Sequence, residues 1–201
     1  MKAHKLTDEN SCTRGKTQWG EGVSHTATGE GKKLCSDGWI HFYTDPLIAV
    51  LMNPSHTSFQ SPILWECETS GEHLHEPLKS GCKKLTTIRQ IPLPEVTTNQ
   101  KIAFGILCAK EVCKDVKWNR WADNWLSNVD RSIAAADAIA AAAAAYAAAA
   151  YAVAAYAVVY AIDAVDADAA AAVDVADAIN FAAIAKKALT FVSNREILIV
   201  E

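Results

Sequence analysis

Between Asp130 and Leu189 the sequence holds neither glycine nor proline, so the two common helix breakers are missing from that whole stretch. All nine glycines fall by Gly105 and all six prolines by Pro94. Aromatic residues are few, 8% of the chain, and the apolar fraction of 51% is inflated by alanine. There is no excess of positive charge either. A net charge of −4 over 201 residues gives no global field to draw nucleic acid, and no nucleic-acid partner is expected. No apolar run follows Met1-Lys2-Ala3-His4-Lys5, so no secretory leader is expected. No CxxC occurs among Cys12, Cys35, Cys67, Cys82, Cys108 and Cys113, which read as reduced thiols of a cytoplasmic protein and not as a disulfide framework. GxSxG, HExxH, Walker and GxGxxG motifs are absent as well. No cofactor is expected.

What is present divides by composition. Residues 1–95 read as a small α+β domain with a mixed or antiparallel sheet. His4 to Thr7 suits a strand, and Gly15 to Gly31 is loop-like. Leu34 to Thr44 suits a strand or a hairpin about Asp37-Gly38. Asp45-Pro46 reads as a helix start, with Asp45 as cap and Pro46 in the first turn, and the helix is expected to stop by Asn53-Pro54. Ile63 to Thr69 alternates apolar and polar residues as a half-buried strand does, and Leu85 to Leu93 suits another. A sheet of about three to five strands with one short helix across it follows.

Residues 96–129 read as connecting helices. Thr97 or Thr98 can cap the first, with Ile102, Ile106, Ala109 and Cys113 on its buried face. Trp118, Trp121 and Trp125 share a helix face, either as cement against the sheet domain or as a stacking surface for a ligand.

Residues 130–190 form an alanine-rich helical region and 191–201 a C-terminal tail. A single helix over ~57 residues would be about 85 Å long. A helical hairpin or an oligomeric bundle is therefore expected, which makes a homo-oligomer. Ile139, Tyr146, Val153 and Tyr160 recur at heptad spacing, and alanines between them permit close helix approach. Asp163, Asp166, Asp174 and Asp177 fall on one helix face, either a solvated acidic stripe or a dock for a basic partner. Ala138 to Ile162 is uncharged and long enough to cross a bilayer. Its alanine content, mid-depth tyrosines and acidic flanks argue against membrane insertion.

Two clusters bear on chemistry. Cys67, His73, His75 and Cys82 offer zinc-type ligands, but their spacing matches no zinc pattern and no metal is expected. The denser cluster is Asp37 to Asp45 together with Cys12 to Gly15 and Trp65 to Glu68. Arg14 suits phosphate, Trp39 and Tyr43 suit stacking, and His41, Glu66 and Glu68 add polar groups, as a pocket for a flat charged ligand requires. The competing reading places Trp39, Phe42 and Trp65 in the core, with the charges at its rim.

Taken together, CTRGKTQWGEG (12–22), LCSDGWIHFYTDPLIAVLMNP (34–54), LWECETSGE (64–72), LTTIRQIPLPEVTTNQ (85–100) and an alanine-rich tail opening with Asp130-Arg131-Ser132 resemble an uncharacterised family of short bacteriophage and bacterial proteins. That resemblance implies a phage or prophage origin and a host-cell cytoplasmic setting, and it brings no assigned activity. Gly38 to Tyr43 ahead of Pro46 to Met52 is also similar to ADP-ribosyltransferase-like domains. The similarity implies an NAD site of Arg14 or His41, Tyr43, and Glu66 or Glu68, although Arg14 falls in an expected loop and Glu66-Cys67-Glu68 comes early. The expected function is that of a non-catalytic accessory protein binding a small nucleotide-derived ligand or a host defence protein. An NAD-using enzyme and a self-assembling helical protein are the alternatives.

Overall fold

The computed structural model describes residues 1–76, 78–113, 115–132 and 179–191. The fold is α+β. The chain divides into two compact units, Met1–Glu95 and Val96–Glu201.

The first unit contains β1 (Lys2–Thr7), β2 (Cys12–Thr13), β3 (Thr17–Gln18), β4 (Ser24–Thr26), β5 (Ile40–Phe42), α1 (Pro46–His56), β6 (Ile63–His75) and β7 (Ser80–Ile91). β2 and β3 form a separate two-stranded ribbon joined by a 3-10 turn at Arg14–Lys16. The main sheet is antiparallel, in the order β1-β6-β7-β4, with β5 also on β7. Because β6 occupies one edge of β7, β4 and β5 lie end to end along the other. The sheet then rolls back on itself. His4 and Tyr43 exchange both backbone hydrogen bonds at 2.8 Å, which joins β1 to the chain just beyond β5.

Strand alternation fills the inside of this roll with Ala3, Phe42, Trp65, Cys67, Cys82 and Leu85, closed by Trp19. Thr7 is fully buried and receives the Trp65 indole N–H at 3.0 Å, so that indole is satisfied despite its burial. The other face of β1 carries His4 and Leu6, and α1 packs on this strand. Leu47, Leu51 and Met52 of α1 are buried, as is Leu64 of β6.

Several expectations are corrected. Leu34 to Thr44 is not a hairpin. Asp37 accepts the Gly31 N–H at 3.2 Å instead of turning two strands, and only Ile40–Phe42, on β7, and Tyr43, on His4, pair. α1 begins as expected, with Asp45 accepting the Leu47 N–H at 2.8 Å, but it passes Asn53-Pro54 and ends at His56. Asn53 holds that extra turn. Its carbonyl accepts the Thr57 N–H at 2.9 Å, and its side chain bonds Thr57 and Phe59. β6 runs past Thr69 to His75, and β7 starts before Leu85, at Ser80, and stops at Ile91, because bulges after Glu66 and Ser70 absorb the register shifts that would otherwise end the pairing.

In the second unit α2 (Thr98–Val112) opens with a reciprocal capping box between Thr97 and Gln100. α3 (Val116–Leu126) is capped by Asp115 and α4 (Phe181–Ala188) by Asn180. α2 was expected to bury one face, yet Ala103 through Ala109 are all buried. The reason is that α3 and α4 both pack on it. Phe181, Ala185 and Ala188 of α4 are buried, and Gln100 Nε2 donates to the Leu189 carbonyl at 2.8 Å. Cys113 is the C-cap of α2, not a member of its buried face. Trp118 and Trp125 are buried, and Arg131 lies 4.4 Å above the Trp125 ring.

The tract 133–178, with the Ile139 heptad and the Asp163 face, and the tail 192–201 lie outside the described residues. Among the described residues no helix is long and apolar enough to cross a membrane.

Candidate functional site

β5 turns Ile40 and Phe42 into the roll, so Trp39, His41 and Tyr43 share its outer face. Opposite His41 stands Gly81, where an added Cβ would meet Leu34 Cδ1 at 2.5 Å and Trp39 Cβ at 3.0 Å. The bare glycine lets Leu34 bury itself there. That places the Leu34 carbonyl to accept a hydrogen bond from His41 Nε2, which fixes the ring and its tautomer.

Two residues that the sequence did not mark complete the cluster. His56, from the extra turn of α1, is hydrogen-bonded through Nδ1 to the Tyr43 hydroxyl at 3.0 Å and stacks on that ring with centroids 5.9 Å apart. Lys79, from the β6–β7 turn, donates to Cys35 Sγ at 2.8 Å and lies 3.8 Å from the Glu76 carboxylate. Burial lowers the His56 pKa to about 4, helped by the charge of Lys79 and by His41. Burial also lowers His41 and raises the Tyr43 phenol. At neutral pH the cluster is therefore two neutral imidazoles, a protonated phenol and the Lys79 ammonium with its Glu76 counter-charge.

Other predicted site residues go elsewhere. Arg14 is exposed in the 3-10 turn between β2 and β3. Glu66 is clamped on the outside of the sheet by Lys2 at 2.9 Å and Arg89 at 2.7 Å, and hydrogen bonds from Lys2 and then Arg89 lower its pKa. Glu68 is exposed on β6 opposite Lys2. Trp39 is half-buried, and Lys83 holds its ammonium 4.5 Å from the ring while donating to the Gly38 carbonyl at 2.9 Å. Trp39, His41 and Tyr43 are thus brought together, with Arg14, Glu66 and Glu68 on other elements. Phe42 and Trp65 are core.

The zinc-type set does not assemble. Cys67 and Cys82 are buried, His73 bonds Thr69 Oγ1 at 2.7 Å and His75 bonds Ser80 Oγ at 2.9 Å. Among the described residues no group of three or more His, Cys, Asp or Glu gathers to hold a metal.

The buried end of β1 adds one feature. Lys5 sits inside the roll, where its Nζ donates to the His41 carbonyl at 2.8 Å and lies 4.7 Å from the Trp19 ring. Burial lowers its pKa to about 8. It thereby ties β1 to the backbone of the residue at the centre of the cluster.

Compared with known protein families, curated proteins and solved structures, the chain gives no match.

Proposed function

We propose that the Met1–Glu95 unit is a non-catalytic binding module that takes a small nucleotide-like anion on the outer face of β5. The observation that carries this reading is the Lys79 ammonium set beside neutral His41 and His56 and protonated Tyr43. Such a group offers several hydrogen-bonding atoms and a cation that an incoming phosphate or carboxylate can share with Glu76, 3.8 Å away. The half-buried Trp39 at its edge supplies an aromatic surface. Arg14, Glu66 and Glu68 are not part of this binding set.

The resemblance to phage-borne proteins supports an accessory role in the host cytoplasm, where sequestering a small signalling nucleotide would blunt a host response. The alanine-rich region then serves to pair chains, as a helical hairpin or bundle, so that binding modules are presented in more than one copy. A thermal-shift and calorimetry screen of mono-, di- and cyclic nucleotides tests the binding. A ligand at ~100 times its Kd raises stability by about 2.7 kcal/mol. That gain should vanish in Lys79→Gln. If no nucleotide shifts the transition of the wild-type protein, the proposal fails.

A further inference from the structure

Of the six cysteines only Cys35 is exposed, while burial raises the Cys67 thiol to about 12 and the Cys82 thiol to about 11. Cys35 lies in the segment between β4 and β5, and the nitrogen already against its sulfur, at 2.8 Å, belongs to Lys79 in the β6–β7 turn. The Lys79 side chain is 15% exposed, so the burial that orients it keeps the amine beside a thiol that solvent oxidants can reach. The partners are far apart in sequence and come from different elements, so a bond between them would staple the fold and not merely decorate a loop.

We propose that Cys35 and Lys79 form a reversible covalent cross-link, a sulfenamide made at the expense of hydrogen peroxide, that fastens segment 27–39 to the β6–β7 turn. In the first step the Cys35 sulfur attacks peroxide. The O–O bond breaks, an S–O bond forms, and water leaves, so sulfur is oxidised by two electrons and peroxide is reduced. In the second step Lys79, having released one proton to solvent, attacks that sulfur through Nζ. The S–N bond forms, the S–O bond breaks, and hydroxide departs with an amine proton as a second water. The whole is one thiol, one ammonium and one peroxide giving one sulfenamide, two waters and one proton. The Lys79 charge beside His41 and His56 is consumed in the process, so oxidation also alters the cluster described above. The cross-link itself does not depend on what that cluster binds.

The experiment treats the full-length protein with a graded series of hydrogen peroxide, digests it without reductant and reads it by peptide mass spectrometry. The expected product is a linked peptide pair joining Cys35 to Lys79, two hydrogens lighter than its parts and released by dithiothreitol. In Lys79→Arg, which keeps the cation but not the primary amine, the pair should disappear and Cys35 should instead be trapped by the sulfenic-acid reagent dimedone. Three results would overturn the proposal. They are dimedone capture of Cys35 to the same extent in wild type and Lys79→Arg, oxidation of Cys12 or Cys113 ahead of Cys35, and a Cys35 that peroxide leaves untouched.

Discussion

Lys5 shows how a single residue can set the pH response of a unit. Its ammonium has been moved from water into a wall of Trp19 and buried thiols, and a backbone carbonyl with a ring face returns only part of the lost hydration. Its pKa therefore falls from 10.5 to about 8. Between those values the unfolded chain holds a proton that the folded chain has released, so stability rises with pH across that window and the contribution is lost as pH falls toward 8. Urea unfolding near pH 8 and again near pH 10 should show this rise in wild type and its absence in Lys5→Met. His56 acts in the same sense at lower pH. With a pKa moved from 6.5 to about 4, it should make the first unit lose stability as pH drops through that range. Tyr43→Phe removes one partner of a buried hydrogen bond and should cost about 1–2 kcal/mol at neutral pH, read by chemical unfolding. Neither residue could be weighted correctly from sequence. Lys5 looked like part of a basic start, and His56 lay beyond the proline at which the helix was expected to stop.

At the scale of elements, local chemistry was legible and pairing was not. Asp45-Pro46 opening α1 and Thr97 capping α2 follow from residues adjacent in sequence, and both are as expected. The length of the β6–β7 hairpin was hidden because Ser70 to His75 is too polar to look like a strand, yet its partner strand and a bulge sustain the pairing. Lys79 reaches the cluster only through that hairpin. The site was therefore half visible, with Trp39, His41 and Tyr43 named by their residue types within one dense segment and their neighbours supplied by tertiary structure alone. Two substitutions probe this level. Gly81→Ala sets a methyl against Leu34 and Trp39, and should destabilise the first unit by about 1–3 kcal/mol while loosening the seat of His41. Thr97→Ala should cost about 1 kcal/mol in the second unit through the lost capping box. Both are measured by denaturant titration.

For the whole molecule, the two units carry different parts of the proposal. The rolled sheet presents the β5 cluster, and the helical unit carries the alanine-rich region assigned to self-association. Because α4 packs on α2, a fair test of that region spares residues 179–191. Replacing 133–178 with a flexible Gly/Ser linker should convert an oligomer into a monomer by light scattering, and an unchanged mass would remove the assembly role. The first unit is proposed to hold a small anion at Lys79, His41 and Tyr43. Native mass spectrometry of the full-length protein from bacterial lysate, before and after mild denaturation, tests it most directly. A small-molecule mass released one per chain is expected, and it should be absent from Lys79→Gln. A wild-type chain at its bare mass, which takes up no nucleotide when these are added back, would contradict it.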